Sequence, residues 1–317
     1  MMPDSELPSY RELPELPNGV RSGWGLFGAD DSVGLMNLLT PERIVAAAGL
    51  VRKGAVFRLD LPIGAVAPPP FGRGAARHTV LERDPNGLGL DDVIDNLFPQ
   101  SGSQWDALAH VAYAPDAWYN GATRQQVKSG ERNTIDFWAS RGIVARGVVV
   151  DVSAAAEAKG GHAEAPAITP ADIEAARVAQ GVEVRPGDIL VLRTGFLSWY
   201  RAQPLEVREG ISGRSGMRLT GIDHGEAMAE YLWDLHISAV VADSFGLEVF
   251  PWDRDDPFGF LHPIIIGQFG MGVGELWDLD ALAADCAADS VWECFLMSAP
   301  LYVPGGIGSP ANAIAIK

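Results

Sequence analysis

Mainly apolar runs recur along this chain and predict strands, of which those at 147–152 and 186–195 are expected to be buried. The runs are AVFRLDLPI at 55–63, GVVVDV at 147–152, PGDILVLRTG at 186–195, ISAVVADS at 237–244 and VWECFLMS at 291–298. The third run follows a Pro-Gly pair, which favours a turn just before the strand.

Segments of helical pattern separate these runs. Two of them, at 40–51 and 169–181, begin with Thr-Pro, which places a threonine at the N-cap and a proline in the first helical position. In the second, Asp172 occupies the capping-box position and Gly181 is expected to end the helix. The other predicted helices are 224–235 and 279–289. Strands alternating with helices predict an α/β protein.

Three stretches interrupt this pattern. Residues 1–22 contain four prolines and several acidic residues, so we expect an extended N-terminal arm with little to bury. Gly- and Pro-rich stretches at 64–90 and 203–221 are predicted to be long loops, of the kind that border active sites or interfaces. None resembles an interdomain linker, so 23–317 is predicted to form a single domain.

Charge and cysteine content limit the partners and the kinds of site that this chain can have. The chain has 24 basic and 41 acidic side chains, and a net charge of −17 disfavours nucleic acid as a partner. Cys286 and Cys294 form no metal or redox motif and are expected to be buried thiols. The start of the sequence is not of signal-peptide type, and no apolar run is long enough to cross a bilayer. We therefore expect a cytoplasmic protein with no membrane partner.

The segment FPQSGSQWDALAHVAY at 98–113 carries candidate chemistry. Gln100, Gln104, Asp106 and His110 all have even numbers, so an extended strand would place them on one face, whereas a helix would also bring Asp106 close to His110. Either conformation pairs a carboxylate with an imidazole. A purely structural polar network beside a turn is the alternative.

A second group lies near residue 270. His262 precedes the apolar run PIII, and Glu275 follows the glycine-rich segment GQFGMGVGE at 267–275, so a chain reversal could bring both into one cleft. The glycines lack dinucleotide-binding spacing and are better explained by close packing or a turn. The nucleophile-elbow, Walker A and zinc-helix signatures are missing from the sequence.

These residues, with the order of the apolar blocks, resemble the cyclase family that includes bacterial kynurenine formamidase and isatin hydrolase. The family motif H-x-G-T-H-x-D-x-P-x-H corresponds to Q-S-G-S-Q-W-D-A-L-A-H at 100–110, and the similarity extends from about residue 24 to near the C-terminus. The resemblance implies a swivelling β/β/α fold, a mixed sheet core with peripheral helices. It also implies a homodimer or larger homo-oligomer.

The resemblance implies a divalent-metal site as well, with Asp106, Gln104, Gln100, His262 and Glu275 at the corresponding positions. Gln100 and Gln104 stand where the family has ligand histidines. Because zinc prefers imidazole or thiolate, we expect Mg²⁺ or Mn²⁺ rather than Zn²⁺, weakly bound, or no metal.

The resemblance supplies the substrate class for our leading hypothesis, a hydrolase that opens the C–N bond of a small formamide or cyclic amide. His110 would act as base and then acid, Asp106 would hold a metal or orient the imidazole, and Gln104 would position the carbonyl oxygen. His262 and Glu275 would complete the charge balance. The alternatives are a lactone hydrolase, a cyclase or dehydratase, and a ligand-binding protein without catalysis.

Overall fold

The computed structural model describes residues 7–213 and 217–317. Its strands, in chain order, are β1 (Val56–Arg58), β2 (Arg77–Glu82), β3 (Leu90–Asp95), β4 (Gln104–Asp106), β5 (Ile143–Asp151), β6 (Ala167–Ile168), β7 (Ile189–Arg193), β8 (Gly221–Ile222), β9 (Ala239–Ala242), β10 (Gly272–Glu275), β11 (Glu293–Ser298), β12 (Gly308–Pro310) and β13 (Ala313–Ile316).

The α-helices of the same residues are α1 (Pro41–Ala48), α2 (Arg124–Lys128), α3 (Asp136–Ala139), α4 (Ser153–Ala158), α5 (Pro170–Gln180), α6 (Phe196–Ala202), α7 (Leu205–Ser212), α8 (Glu226–Asp234), α9 (His262–Ile265) and α10 (Asp280–Asp289). No helix among the residues described is long and apolar enough to cross a membrane.

Nine strands form one sheet in the order β1-β13-β11-β5-β7-β9-β10-β4-β12. The four central strands, β5, β7, β9 and β10, run parallel to one another, and both flanks are antiparallel. β5, β7 and β9 correspond to three of the predicted apolar runs, and burial on both faces explains their composition. The predicted α/β class, with a mixed sheet core and peripheral helices, is confirmed.

The helix signals in the sequence worked as expected. Thr40 caps α1 by accepting a hydrogen bond from the Arg43 amide, and Thr169 and Asp172 form a complete capping box at α5. Gly181 then ends α5 in the left-handed conformation, at φ 66°.

The prediction that residues 64–90 and 203–221 form purely irregular loops is wrong. The first contains β2, which pairs with β3 in an exposed two-stranded ribbon, and the second contains α7. The β2–β3 ribbon has no apolar face to bury, which is why its sequence gives a weak strand signal. The strand predicted at 55–63 is also too long, because only β1 (Val56–Arg58) within it is a strand.

The N-terminal arm buries more than its composition suggests. Tyr10, Leu13 and Val20 are fully or almost fully buried, and the Tyr10 ring packs edge-on against Phe269 at 6.2 Å between centroids. The Tyr10 amide also donates to Asp234 in α8 at 2.6 Å. The expectation that the arm has little to bury is therefore wrong for residues 7–22, which pack on their own chain.

β4 lies between β10 and β12, and its two faces differ. Trp105 points into the core, where its ring meets Trp138 and Trp277 edge-on at 6.2 and 5.0 Å. Gly274 of β10 allows this close packing, since a Cβ there would lie 2.5 Å from Val241 and 2.8 Å from the Trp277 ring nitrogen. The glycine-rich segment thus has the packing role predicted for it.

Candidate active site

The register of β4 against β10 brings the first polar side chains together. Gln104 lies directly opposite Glu275, and Asp106 lies opposite Val273, two residues further along β4. Residues two apart share a face of a strand, so Gln104, Asp106 and Glu275 form one cluster. All three are almost fully buried. The extended interpretation of this part of the segment at 98–113 is confirmed.

The Gln104 amide joins the two carboxylates of this cluster. Its Nε2 donates to Asp106 Oδ1 at 3.1 Å and to Glu275 Oε2 at 3.0 Å. Because both N–H groups are used, Gln104 does not donate into a cleft as the predicted holder of a carbonyl oxygen would. Its role in this arrangement is to reduce the repulsion between two buried carboxylates.

His262, at the start of α9, adds an imidazole between two acidic groups. Its Nδ1 lies 2.9 Å from Glu248 Oε1, and its Nε2 lies 3.1 Å from Glu275 Oε1. Burial alone would lower the pKa of His262, but the charge of Glu248 and the hydrogen bonds to both carboxylates raise it well above 6.5. The ring is therefore an imidazolium that donates from both nitrogens.

The pKa values of Asp106 and Glu275 are shifted in opposite directions by this environment. Burial and the charge of Glu275 raise the pKa of Asp106, despite opposing effects from His110 and His262. Burial acts the same way on Glu275, but the hydrogen bond and charge of His262, together with the charges of Arg73 and His110, outweigh it and lower the pKa of Glu275. Glu275 is thus the firmly ionised partner of the imidazolium, whereas Asp106 Oδ2 is buried without a hydrogen-bond partner.

His110 lies beyond the end of β4, in a turn closed by the hydrogen bond from its amide to the Ala107 carbonyl at 2.8 Å. The helical alternative for this segment is wrong, because β4 ends at Asp106 and the chain then turns. The His110 Nε2 is 3.7 Å from Asp106 Oδ1, and 24% of the side chain is exposed. This distance permits electrostatic attraction but exceeds a direct hydrogen bond, so the nitrogen remains available to a water or a substrate.

Asp106, His262 and Glu275 also satisfy the simplest test for a metal site. Each offers one ligand atom, and these atoms lie within 4.8 Å of one another. The unpartnered Asp106 Oδ2 and the carboxylate oxygens suit Mg²⁺ or Mn²⁺. Zinc fits poorly, since the one imidazole in the group has both nitrogens against carboxylates and Gln104 supplies only an amide.

Above this cluster lies a cleft of about 810 Å³. The end of the cleft next to the charged cluster is lined by His110, His262, Glu275 and Arg73. The walls are largely aromatic and comprise Phe71, Tyr113, Trp118, Phe250, Trp252 and Phe260. Trp118 is therefore a wall residue of the cleft. A small, largely apolar molecule would be enclosed next to the charged groups.

Four sequence-predicted residues, Gln104, Asp106, His262 and Glu275, form one hydrogen-bonded cluster, and His110 lies at its edge. Gln100 is separate: it lies in a short turn at Pro99–Ser101, and its amide nitrogen is close to Gly308 of β12. A ligand set that includes Gln100 stays a prediction.

Sequence reasoning missed Glu248 and Arg73. Glu248 interrupts an otherwise apolar stretch, SFGLEVF at 244–250, and a lone acidic residue in such a run was the available signal. Arg73 lies in a segment predicted to be a loop and gave no comparable signal. Its positive charge nevertheless acts on both Asp106 and Glu275 and lowers the pKa of each.

Comparisons with known proteins agree with this fold. The family model named Cyclase matches residues 57–249. A crystal structure described as a novel cyclase is 34% identical in sequence, has a TM-score of 0.82 and aligns over 93% of this chain and 99% of its own.

Two isatin hydrolase structures share the fold at lower identity. One, bound to the product analogue thioisatinate, is 19% identical with a TM-score of 0.61, over 87% of this chain and 98% of its own. Isatin hydrolase A from Labrenzia aggregata, bound to benzyl benzoate, is 19% identical with a TM-score of 0.57, over 86% and 97%. A comparison with curated proteins found no match. The family model and the 34% identical structure together show that this chain belongs to the Cyclase family.

Proposed function

We propose that this protein hydrolyses the C–N bond of a small aryl formamide or cyclic amide, by attack of water on the amide carbonyl. The observation that carries the proposal is the position of His110. His110 lines an aromatic-walled cleft and its Nε2 lies 3.7 Å from the buried Asp106 carboxylate, while the ring nitrogens of the neighbouring His262 are both engaged. One imidazole is thus left to move protons beside a cluster that is otherwise internally paired.

In the proposed reaction, His110 Nε2 takes a proton from the attacking water and later returns it to the leaving nitrogen. Asp106, 3.7 Å away, stabilises the imidazolium that forms between these steps. The products, a carboxylate, an amine and one proton released to solvent, account for all atoms and charge of the amide and the water. The reaction needs no redox partner.

The developing negative charge on the carbonyl oxygen needs positive groups in the same cleft. His262, held as an imidazolium by Glu248 and Glu275, and the guanidinium of Arg73 are the groups that the cleft offers. These groups take over the role that the sequence predicted for Gln104, because the Gln104 amide already donates to Asp106 and Glu275. A bound Mg²⁺ or Mn²⁺ would be held by Asp106 and Glu275, with His262 as a ligand only in its neutral form and therefore without its positive charge. Such an ion would polarise an oxygen and lower the pKa of water.

The alternatives predict different products. A cyclase or dehydratase would use the same acid and base without consuming water, and a lactone hydrolase would release an alcohol rather than an amine. A ligand-binding protein would need neither His110 nor the charged cluster, which makes it the weakest candidate.

Incubation of a panel of aryl formamides, cyclic imides and lactones in ¹⁸O-labelled water tests the proposal. We expect turnover of an amide with one solvent oxygen in the new carboxylate, measured by mass spectrometry. Turnover of lactones alone, or product without solvent oxygen, would exclude amide hydrolysis. A matched His110→Ala protein provides the background rate.

A further inference from the structure

Three arginines line the same cleft as the proposed catalytic groups. Arg124 and Arg254 are exposed, and Arg73 is partly buried. Within residues 7–213 and 217–317, none of the three guanidinium groups lies within ion-pair distance of a carboxylate. Several cations without carboxylate partners in one cleft of an acidic chain mark that cleft as a place that attracts an anion.

Each of these arginines also lies beside an aromatic wall residue. The distance from the guanidinium carbon to the ring centroid is 5.3 Å for Arg73 and Phe71, and 5.8 Å for Arg124 and Trp118. Arg254 lies 5.5 Å from the Trp252 ring and 5.2 Å from the Phe260 ring. Contact with a ring face restricts a long side chain without using its N–H groups. One Arg73 N–H group already donates to the Gln100 carbonyl, so Arg124 and Arg254 are the better candidates to bind a ligand.

Arg254 is connected to the reaction centre through aromatic rings. Trp252 stacks on Phe260 at 4.1 Å between centroids, and Phe260 stacks on His262 at 5.4 Å, with interplanar angles of 25° and 21°. A flat substrate that lies along these rings would reach from the charged cluster toward Arg254. An anionic group on its distal side would then meet a guanidinium.

Asp253, Asp255 and Asp256 flank Arg254 in sequence, but among the described residues none of them forms an ion pair with its guanidinium. Asp253 and Asp256 accept hydrogen bonds from the Asp255 and Phe258 amides, which fixes both carboxylates in the local turns. Among the described cleft-lining residues, Glu275 is the only carboxylate, and His262 already pairs with it. The cleft wall is therefore net positive.

We propose that the substrate is an aromatic amide that carries a carboxylate group, and that Arg254 is the residue that recognises this carboxylate. Arg124 and Arg73 contribute to the positive potential that attracts it. The inference rests on the proposed function for the amide part of the substrate, whereas anion recognition can be tested without turnover.

Binding of benzoate and of uncharged benzamide, measured by calorimetry, tests recognition directly. We expect benzoate to bind about tenfold more tightly than benzamide, a preference that Arg254→Met abolishes. Arg185→Met makes the same change in net charge at an exposed residue outside the cleft lining, and we expect it to keep the preference. Equal binding of both ligands, or a preference that survives Arg254→Met, would overturn the proposal.

Kinetics with 2-, 3- and 4-formamidobenzoate, and with formanilide as the uncharged control, extend the test to substrates. Arg254→Met should raise KM for the preferred formamidobenzoate about tenfold more than it raises KM for formanilide, with a smaller effect on kcat than on KM. An equal loss with formanilide would contradict a role in anion recognition. If neither a formamide nor a cyclic amide is hydrolysed, the proposed function fails, while the benzoate measurement still decides whether the anion site exists.

Discussion

The inner end and the rim of the cleft hold their charges in different ways. At the inner end, the buried carboxylates of Asp106, Glu248 and Glu275 lie beside the His262 imidazolium and the Gln104 amide. At the rim, the guanidinium groups of Arg124 and Arg254 lie over aromatic rings without ion pairs. The inner charges need partners because burial of an isolated charge costs several kcal/mol. The rim charges remain hydrated and need none. The first region is therefore organised before any ligand arrives, and the second is free to bind one.

Removal of His110, which lies where the two regions meet, should have the largest effect. We expect His110→Ala to lower turnover by about two to four orders of magnitude, the usual contribution of a general acid–base group. The inner cluster should stay intact, since its hydrogen bonds do not involve this ring. Steady-state kinetics and a thermal melt check both points. His78→Ala, in the exposed β2–β3 ribbon, is the matched control, and an equal rate in the two variants would refute the role of His110.

Asp106→Asn tests the inner region next. An asparagine amide would face the Gln104 amide and remove the charge that stabilises the His110 imidazolium, so we expect turnover to fall by about two orders of magnitude. The free energy of unfolding should change by about 1–3 kcal/mol. Asp92→Asn makes the same change on the surface. A fully active Asp106→Asn protein would show that Asp106 has only a structural role.

The metal preference of the inner region follows from its donor groups. After dialysis against a chelator, we expect the protein to hold less than stoichiometric zinc by elemental analysis, because Gln104 and Gln100 replace imidazoles. Replacement of both glutamines by histidine should raise zinc affinity. About one zinc per wild-type chain surviving chelation would contradict the interpretation of the donor set.

The protonation of His262 gives the smallest, most local test. In metal-stripped protein, histidine NMR should show the His262 imidazolium persisting well above pH 6.5, and Glu248→Gln should lower that midpoint. The folded-state pKa is raised, so the stabilisation is complete below pH 6.5 and is lost as pH rises through the folded value. A midpoint unchanged by Glu248→Gln would show that Glu248 does not hold the proton.

The sequence itself determined the helices α1, α5, α8 and α10 and four residues of the buried cluster, Gln104, Asp106, His262 and Glu275. Thr40 and Thr169 signal helix starts because capping depends on residues three apart, and the same local rule makes Gly181 a helix end. Gln104 and Asp106 share a face because strand side chains alternate. Such contacts lie within a few residues of each other, so a linear pattern records them.

Only the tertiary structure decided how these residues work. The register of β4 on β10 places Gln104 against Glu275, 171 positions away. Because of this contact, the Gln104 amide joins two carboxylates and does not hold a substrate carbonyl, which is the role that the sequence predicted for it. Arg73 and Glu248 joined the site from segments without catalytic motifs, and Arg254 joined the cleft wall in the same way. Charge in a protein depends on burial and on neighbours in space, and the packing of distant segments sets both.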